Sequence, residues 1–239
     1  MANLKSAFSQ GLFQSSTTQR EALGTKRMEA DGRVFRYAKA GGALAAGKAA
    51  IKAVDVDNHI NLPIPAAYAI GSKQITITVG ATAVTADQYK DGFLQVNDAT
   101  GEGYQYRIES NTACDASGST IVQLADPIAV ALVASTSEVS LIPNEYSGIT
   151  HSATEENAPA GVAVCAIASG SYGWVQTAGP ALALMAGTPA VGSMLTLGSV
   201  AGSLAAINAT LDIDQPYFAQ KTLNAGVNTE YKPVHLFID

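Results

Sequence analysis

The chain has 239 residues, 47% of them hydrophobic and only 14% charged, which is enough apolar material for one large or two smaller β cores and excludes disorder throughout. No apolar run approaches the ~18 residues of a membrane helix, and the start MANLKSAFSQGLF lacks the apolar stretch and cleavage site of a secretory signal, so a soluble chain that does not use that export route is expected. The formal charge of −6 is unevenly spread: the first 52 positions carry nine Lys and Arg against three acids, +6 (9 − 3), and the remainder carries −12 (5 − 17).

Within residues 1–52, Arg20, Lys26, Arg27, Arg33, Arg36 and Lys39 are interleaved with Gly, Ser, Thr and Gln, and no sustained 3.6-residue apolar period runs through them. This pattern predicts an extended basic N-terminal arm that orders by lying on another surface. Turn chemistry at Asp31-Gly32 and Gly41-Gly42 brackets Arg33-Val34-Phe35-Arg36-Tyr37, a short β-like run suited to a neighbouring sheet. Ala43 to Ala53 is the one tempting helix, weakened by Gly47. Pro63 and Pro65 then stiffen an Asn-Leu-Pro-Ile-Pro crossing and mark a domain boundary.

From Gly71 a period of two sets in, with Ile75, Ile77 and Val79 on one face and Thr76 and Thr78 on the other, as in a half-buried strand. Phe93 to Val96, then Tyr104, Tyr106 and Ile108 after a turn through Asn97 to Gly103, then Thr120 to Leu124, Ala129 to Val133 and Glu138 to Ile142 continue the pattern. Residues 66–146 therefore read as one antiparallel β module inserted into a body formed by 53–65 and 147–239. In that body Gly161 to Ala168, Trp174 to Gln176, Ala181 to Met185, Met194 to Leu197 and Leu204 to Ile207 are strand-like, with Gly/Pro breaks between them and an exposed loop at 155–159 before them. Leu211 to Ile213 and Val234 to Phe237 are available as closing edge strands. Short strands at close intervals predict a mainly β barrel or sandwich.

Chemical signatures are sparse. His59, His151 and His235 have no partner at ligand spacing and read as surface or turn residues, and there is no nucleophile elbow. Cys114 and Cys165 have no metal or redox spacing and read as reduced structural residues. Asp55 with Asp57, and Asp212 with Asp214, place paired carboxylates on one strand face, which suits a cation or acid/base pair but equally a solvated face. Gly101-Glu102-Gly103 precedes an alternating strand and so reads as a hairpin turn, not a phosphate loop. Asn208-Ala209-Thr210 matches a glycosylation acceptor only in form, since no secretory signal precedes it. Trp174, the single tryptophan, fits core or intersubunit packing better than a sugar platform with Tyr172. No catalytic residue, metal ligand or cofactor-binding residue is assigned. The leader's charges are dispersed and the whole chain is acidic, which favours an acidic protein surface over nucleic acid as its partner.

Three stretches carry a family resemblance: Glu21-Ala22-Leu23-Gly24-Thr25 with Asp31 to Gly41 and Ala43 to Lys48; Asp87 to Asp98 with Gly101 to Ile108; and Tyr172 to Ala181. Together they resemble small structural proteins of tailed-bacteriophage heads, over most of the span from about residue 19 to 200. The resemblance implies a capsid decoration, or cement, protein: a non-enzymatic, cofactor-free, mainly β molecule, made in the host cytoplasm, on the outer capsid surface of the virion. Its partners would be the major capsid protein and copies of itself, in a homotrimer or a dimer, without nucleic acid or membrane. Arg20, Lys26, Arg27, Arg33, Phe35, Arg36, Tyr37 and Lys39 would be the capsid contacts, so that removing residues 1–40 would abolish attachment and leave the body folded. The alternatives are another virion role, such as a head fibre or tail-tube subunit, a glycan-binding β module, and a hydrolase using Asp212.

Overall fold

A computed structural model describes residues 7–153, 158–207 and 219–239. The chain forms two compact units, one from Met1–Ala53 with Glu145–Asp239 and one from Val54–Asn144. The architecture is mainly β and antiparallel, a barrel-like body with a β-rich insertion, as the alternation predicts. The insertion begins at Val54 and not at residue 66, because Pro63 does not sit in a linker. It lies in β4 (Leu62–Pro63), at the end of the insertion's sheet order, where a residue without an N–H is tolerated.

In the insertion, β4 is joined by β5 (Gln74–Thr78), β6 (Phe93–Asp98), β7 (Gln105–Asn111), β8 (Ser119–Leu124) and β9 (Glu138–Ile142) in the order β4-β9-β6-β7-β8-β5. The outermost strands β4 and β5 come into contact and bring the sheet close to closure. Period two decides the core: Ile75, Ile77, Leu94, Ile108, Val122, Leu124, Val139 and Leu141 all point inward and are fully buried. Ala129 to Val133, read as a strand, is not one. After Asp126-Pro127 it runs through bends, and only Leu132 makes a bridge, exchanging both backbone bonds with Tyr68 while Ile128 and Leu132 still plug the core. His59 lies in a turn, as read, but not on the surface. It ends a 3-10 turn, Asp57–His59, and is fully buried: Nε2–H donates to the Thr82 carbonyl at 2.9 Å, and the Tyr89 hydroxyl donates to Nδ1. Burial pushes the Tyr89 hydroxyl pKa strongly upward. Asp55 and Asp57 are exposed, Asp55 before that turn and Asp57 its first residue, so they share no strand face.

In the other unit the leader supplies β1 (Lys26–Met28), β2 (Val34–Ala40) and β3 (Ala49–Ile51), and the later segment supplies β10 (Ser147–Ile149), β11 (Pro159–Ala163), β12 (Tyr172–Leu184), β13 (Leu195–Leu197), β14 (Leu204–Ala206), β15 (Ala219–Thr222) and β16 (Tyr231–Phe237). The sheet order is β1-β2-β12-β16-β15-β13-β14, with β10 beside β2 and β11 between β12 and β3. The backbone of residues 26–51 is extended where strands were expected, but these residues are part of the fold and do not wait for a partner. β2 lies between β1 and β12, paired with β12 from Tyr172↔Lys39 to Ala178↔Val34. The reading as an arm failed because Arg36 and Lys39 interrupt a strand that is otherwise buried on both faces, at Val34, Phe35, Tyr37, Ala38 and Ala40. Ala43 to Ala53 is no helix. It turns at Gly47, whose φ of +72° suits glycine, and enters β3.

The Gly179-Pro180 pair, read as a break, lies inside β12, the longest of these strands. A bulge between Gln176 and Ala178, followed by Gly179 at φ +84°, bends the strand without ending it, and pairing continues on β16 from Ala178↔Phe237 to Leu184↔Tyr231. Gln176 secures the bend by donating from Nε2 to the carbonyls of Ala178 (3.0 Å) and Pro180 (2.8 Å). Strand β11 stops at Ala163, short of the predicted Ala168. The Asp212/Asp214 pair, the Asn208 motif and most of the 155–159 loop fall outside the described residues.

Candidate interaction surface

The residues expected to reach a partner mostly find partners within the chain. Phe35 and Tyr37 are fully buried and belong to a cluster with Leu12 and Trp174, so neither is a contact residue. Tyr37 donates its hydroxyl proton to Gln10 Oε1 (2.7 Å) and accepts from the Arg20 N–H (3.1 Å), and burial raises its pKa. Arg27 lies over the rings of Phe8 and Trp174 and pairs with Glu29 at 2.7 Å. Lys39 lies over Tyr172, and Arg33 lies over Phe35 with its Nε on Asp31. Arg20 is exposed. Arg27, Arg33 and Lys39 thus roof an aromatic cluster in their own unit, through ring contacts and packed stems. Trp174 meets Phe8 edge-on at 5.2 Å and Tyr37 at 5.1 Å with no exposed surface, which removes it as a sugar platform.

Arg36 makes the strongest of these pairs, a fork on Asp239 (Nε to Oδ2 and Nη2 to Oδ1, both 2.7 Å), with Lys26 Nζ at 3.6 Å. The hydrogen bonds from Arg36 hold the Asp239 carboxyl below its ordinary value, outweighing partial burial, which acts the other way. A depressed carboxyl pKa stabilises the fold above the unfolded-chain value near ~3.9, and that contribution is lost as the pH falls through the lower folded value. Because the pair is partly solvated, Asp239→Asn should cost about 1 kcal/mol at pH 7 and far less near pH 2, measured by urea unfolding at both. An equal cost at both pH values would contradict the pairing.

His151 is the second histidine with a settled role: Nδ1–H donates to the Ala49 carbonyl (2.7 Å), Nε2 accepts the Ala45 N–H (2.8 Å), and burial lowers its pKa. His235 is half-buried on β16. Cys114 and Cys165 are free thiols. Among the described residues no group of three His, Cys, Asp or Glu side chains is placed to hold a metal ion, and no helix is long and apolar enough to cross a membrane.

One surface stands out that the sequence did not indicate. A groove of about 620 Å³ opens on the unit containing β12. Register builds it: the Leu182↔Pro233 and Leu184↔Tyr231 pairs align β12 with β16, while Val162↔Gln176 brings in β11. Gly47 sits against Tyr231, where a Cβ would come within 2.8 Å of the ring. Three large apolar side chains on the groove are left in water: Phe13 at 66%, Leu182 at 56% and Tyr231 at 42% exposure. Among the described residues its only charged lining residue is Arg33. No family model, curated protein or solved structure matches the chain. The groove joins segments from positions 13 to 233, so no local motif could announce it. The one hint in the sequence is Tyr172 to Ala181, which carries part of the family resemblance and supplies Gln176, Pro180 and Ala181 to the lining.

Proposed function

We propose that this chain is a structural, non-enzymatic protein of a tailed-phage virion, bound to the outer surface of the head, where it ties neighbouring major capsid subunits together. The observation that carries this reading is the apolar groove with Phe13, Leu182 and Tyr231 exposed on it, in a chain whose surface is poor in charge. The resemblance of residues 21–48, 87–108 and 172–181 to phage head proteins supports the setting. The contact is the folded face, not a strap: residues 7–52 are committed to their own sheet and its roof. The partners are the major capsid protein and further copies of the chain, arranged as a trimer or a dimer. A net charge of −6 opposes a polyanion as the direct ligand.

A standard interface of ~1,600 Å² with a few buried anchors supports specific attachment, and repeated copies on a lattice raise the avidity. The test is co-sedimentation of the purified chain with shells assembled from the major capsid protein of the same phage. Wild type should saturate the shells, and Leu182→Arg, at an exposed position that leaves the core intact, should weaken attachment about thirty-fold, the ~2 kcal/mol of a hot-spot residue. Absence of wild-type binding to both expanded and unexpanded shells would overturn the reading.

A further inference from the structure

The groove is more than an apolar face, because two polar groups on it lack partners. Gln176 is 4% exposed, and its Nε2 protons are spent on the Ala178 and Pro180 carbonyls, which fixes the orientation of the amide and leaves Oε1 as an acceptor with no partner among the described residues. A buried acceptor left unpaired is costly, so the site is complete only when something supplies an N–H or O–H. At Arg33 the Nε edge is held by Asp31, while the Nη groups have no hydrogen-bond partner among the described residues. The site therefore offers an acceptor, a fork of donors and an apolar floor of Val162, Leu182 and Pro233.

An extended polypeptide supplies the complement of all three at once: backbone N–H groups along one edge, apolar side chains on one face, and an acidic side chain for Arg33. A second copy docking by a flat face would bury the apolar rim but leave Gln176 Oε1 unanswered, and a simple hydrocarbon amphiphile would satisfy at most one polar group. We propose that the groove binds an extended apolar peptide segment of a partner protein, with an acidic residue at the Arg33 end and a backbone N–H on Gln176 Oε1. This rests on the reading above and names the chemistry of the capsid segment that the site would grip.

The test uses the full ¹⁵N-labelled chain and two capped hexapeptides, Val-Thr-Leu-Val-Asp-Ala and the same sequence with Lys for Asp, followed through the Gln176 side-chain amide and the Gly47 backbone amide. The Asp peptide should shift both signals saturably and bind at least about ten-fold more tightly than the Lys peptide, and Arg33→Glu should reverse that order. N-methylation along one peptide edge should abolish binding while methylation of the other edge leaves it intact. Leu182→Arg, with unchanged thermal unfolding, should abolish it too. Several results overturn the proposal: no saturable shift from either peptide, shifts that grow with protein concentration alone and so mark a second copy, or decanoate occupying the groove where the peptides do not. Shell binding that Leu182→Arg weakens, in a chain that takes up neither peptide, would sink this proposal and leave the virion reading standing. Peptide binding without shell binding would do the reverse.

Discussion

Removing residues 1–40 should unfold the unit that contains β12, where a detachable strap would leave it intact. The truncation deletes β1 and β2, and with β2 goes the ladder on β12 from Tyr172 to Ala178. It also takes Leu12, Phe35 and Tyr37 out of the cluster around Trp174 and strips Arg36 from Asp239. Each large apolar side chain that is fully buried contributes about 1.5–3 kcal/mol, so three of them approach the ~5–15 kcal/mol that holds a whole domain together. The orphaned strand groups add to the loss. The expected result is a truncated chain whose Trp174 emission moves to the red and which binds a dye for exposed apolar surface. A truncated chain with unshifted emission and an unchanged melting temperature would show that the leader is dispensable to the fold.

Trp174→Ala should be the most damaging single substitution. The indole is wholly buried, bracketed by Phe8 and Tyr37 and capped by Arg27, with its N–H directed at the Gln10 carbonyl 3.3 Å away. Truncating a buried Trp to Ala costs about 3–5 kcal/mol through lost burial and the cavity left behind, on the order of a 10 °C fall in melting temperature for a unit of this size. Trp174→Phe keeps an aromatic ring and should cost less than half as much. Calorimetry on the three proteins measures both effects. A cost below about 1 kcal/mol for the alanine variant would place the indole outside the core.

These expectations depend on which parts of the fold were legible. Strands β5, β6, β7 and β8 announced themselves, because each has one wetter face and so alternates, as Ile75 and Ile77 do against Thr76. The hairpin turns at Asp31-Gly32 and Gly101 to Gly103 were equally plain, since their glycines take positive φ. Strand β2 was harder. It is buried on both faces and carries Arg36 and Lys39, whose aliphatic stems lie along the sheet while their charges reach Asp239 and the Tyr172 ring, so periodicity and charge gave opposite messages. Strand β12 was hidden by Gly179-Pro180, a pair that normally ends a strand and here forms a bend held by the Gln176 amide. Beyond the Tyr172 to Ala181 stretch the groove was not legible, because its floor is a product of register: shifting β16 by one residue on β12 would turn Pro233 away from Leu182.

The proposed contact through a folded face instead of a basic leader has a physical consequence for binding. A strap that orders on its target gives up part of its contact energy in ordering, whereas a groove already formed on a sheet is pre-organised and loses less. The same logic explains why exposed Leu182 and Tyr231 are tolerated together: both lie on the paired strands β12 and β16, so burying them against a partner costs little further conformational freedom.

Hydrogen exchange on the free, full-length chain tests the central claim most directly, that residues 34–40 are an interior strand of the folded molecule. The account predicts that the ladder amides of Val34 to Ala40 exchange as slowly as those of Tyr172 to Ala178, with no partner present. Fast exchange across β2 beside a protected β12 would contradict it.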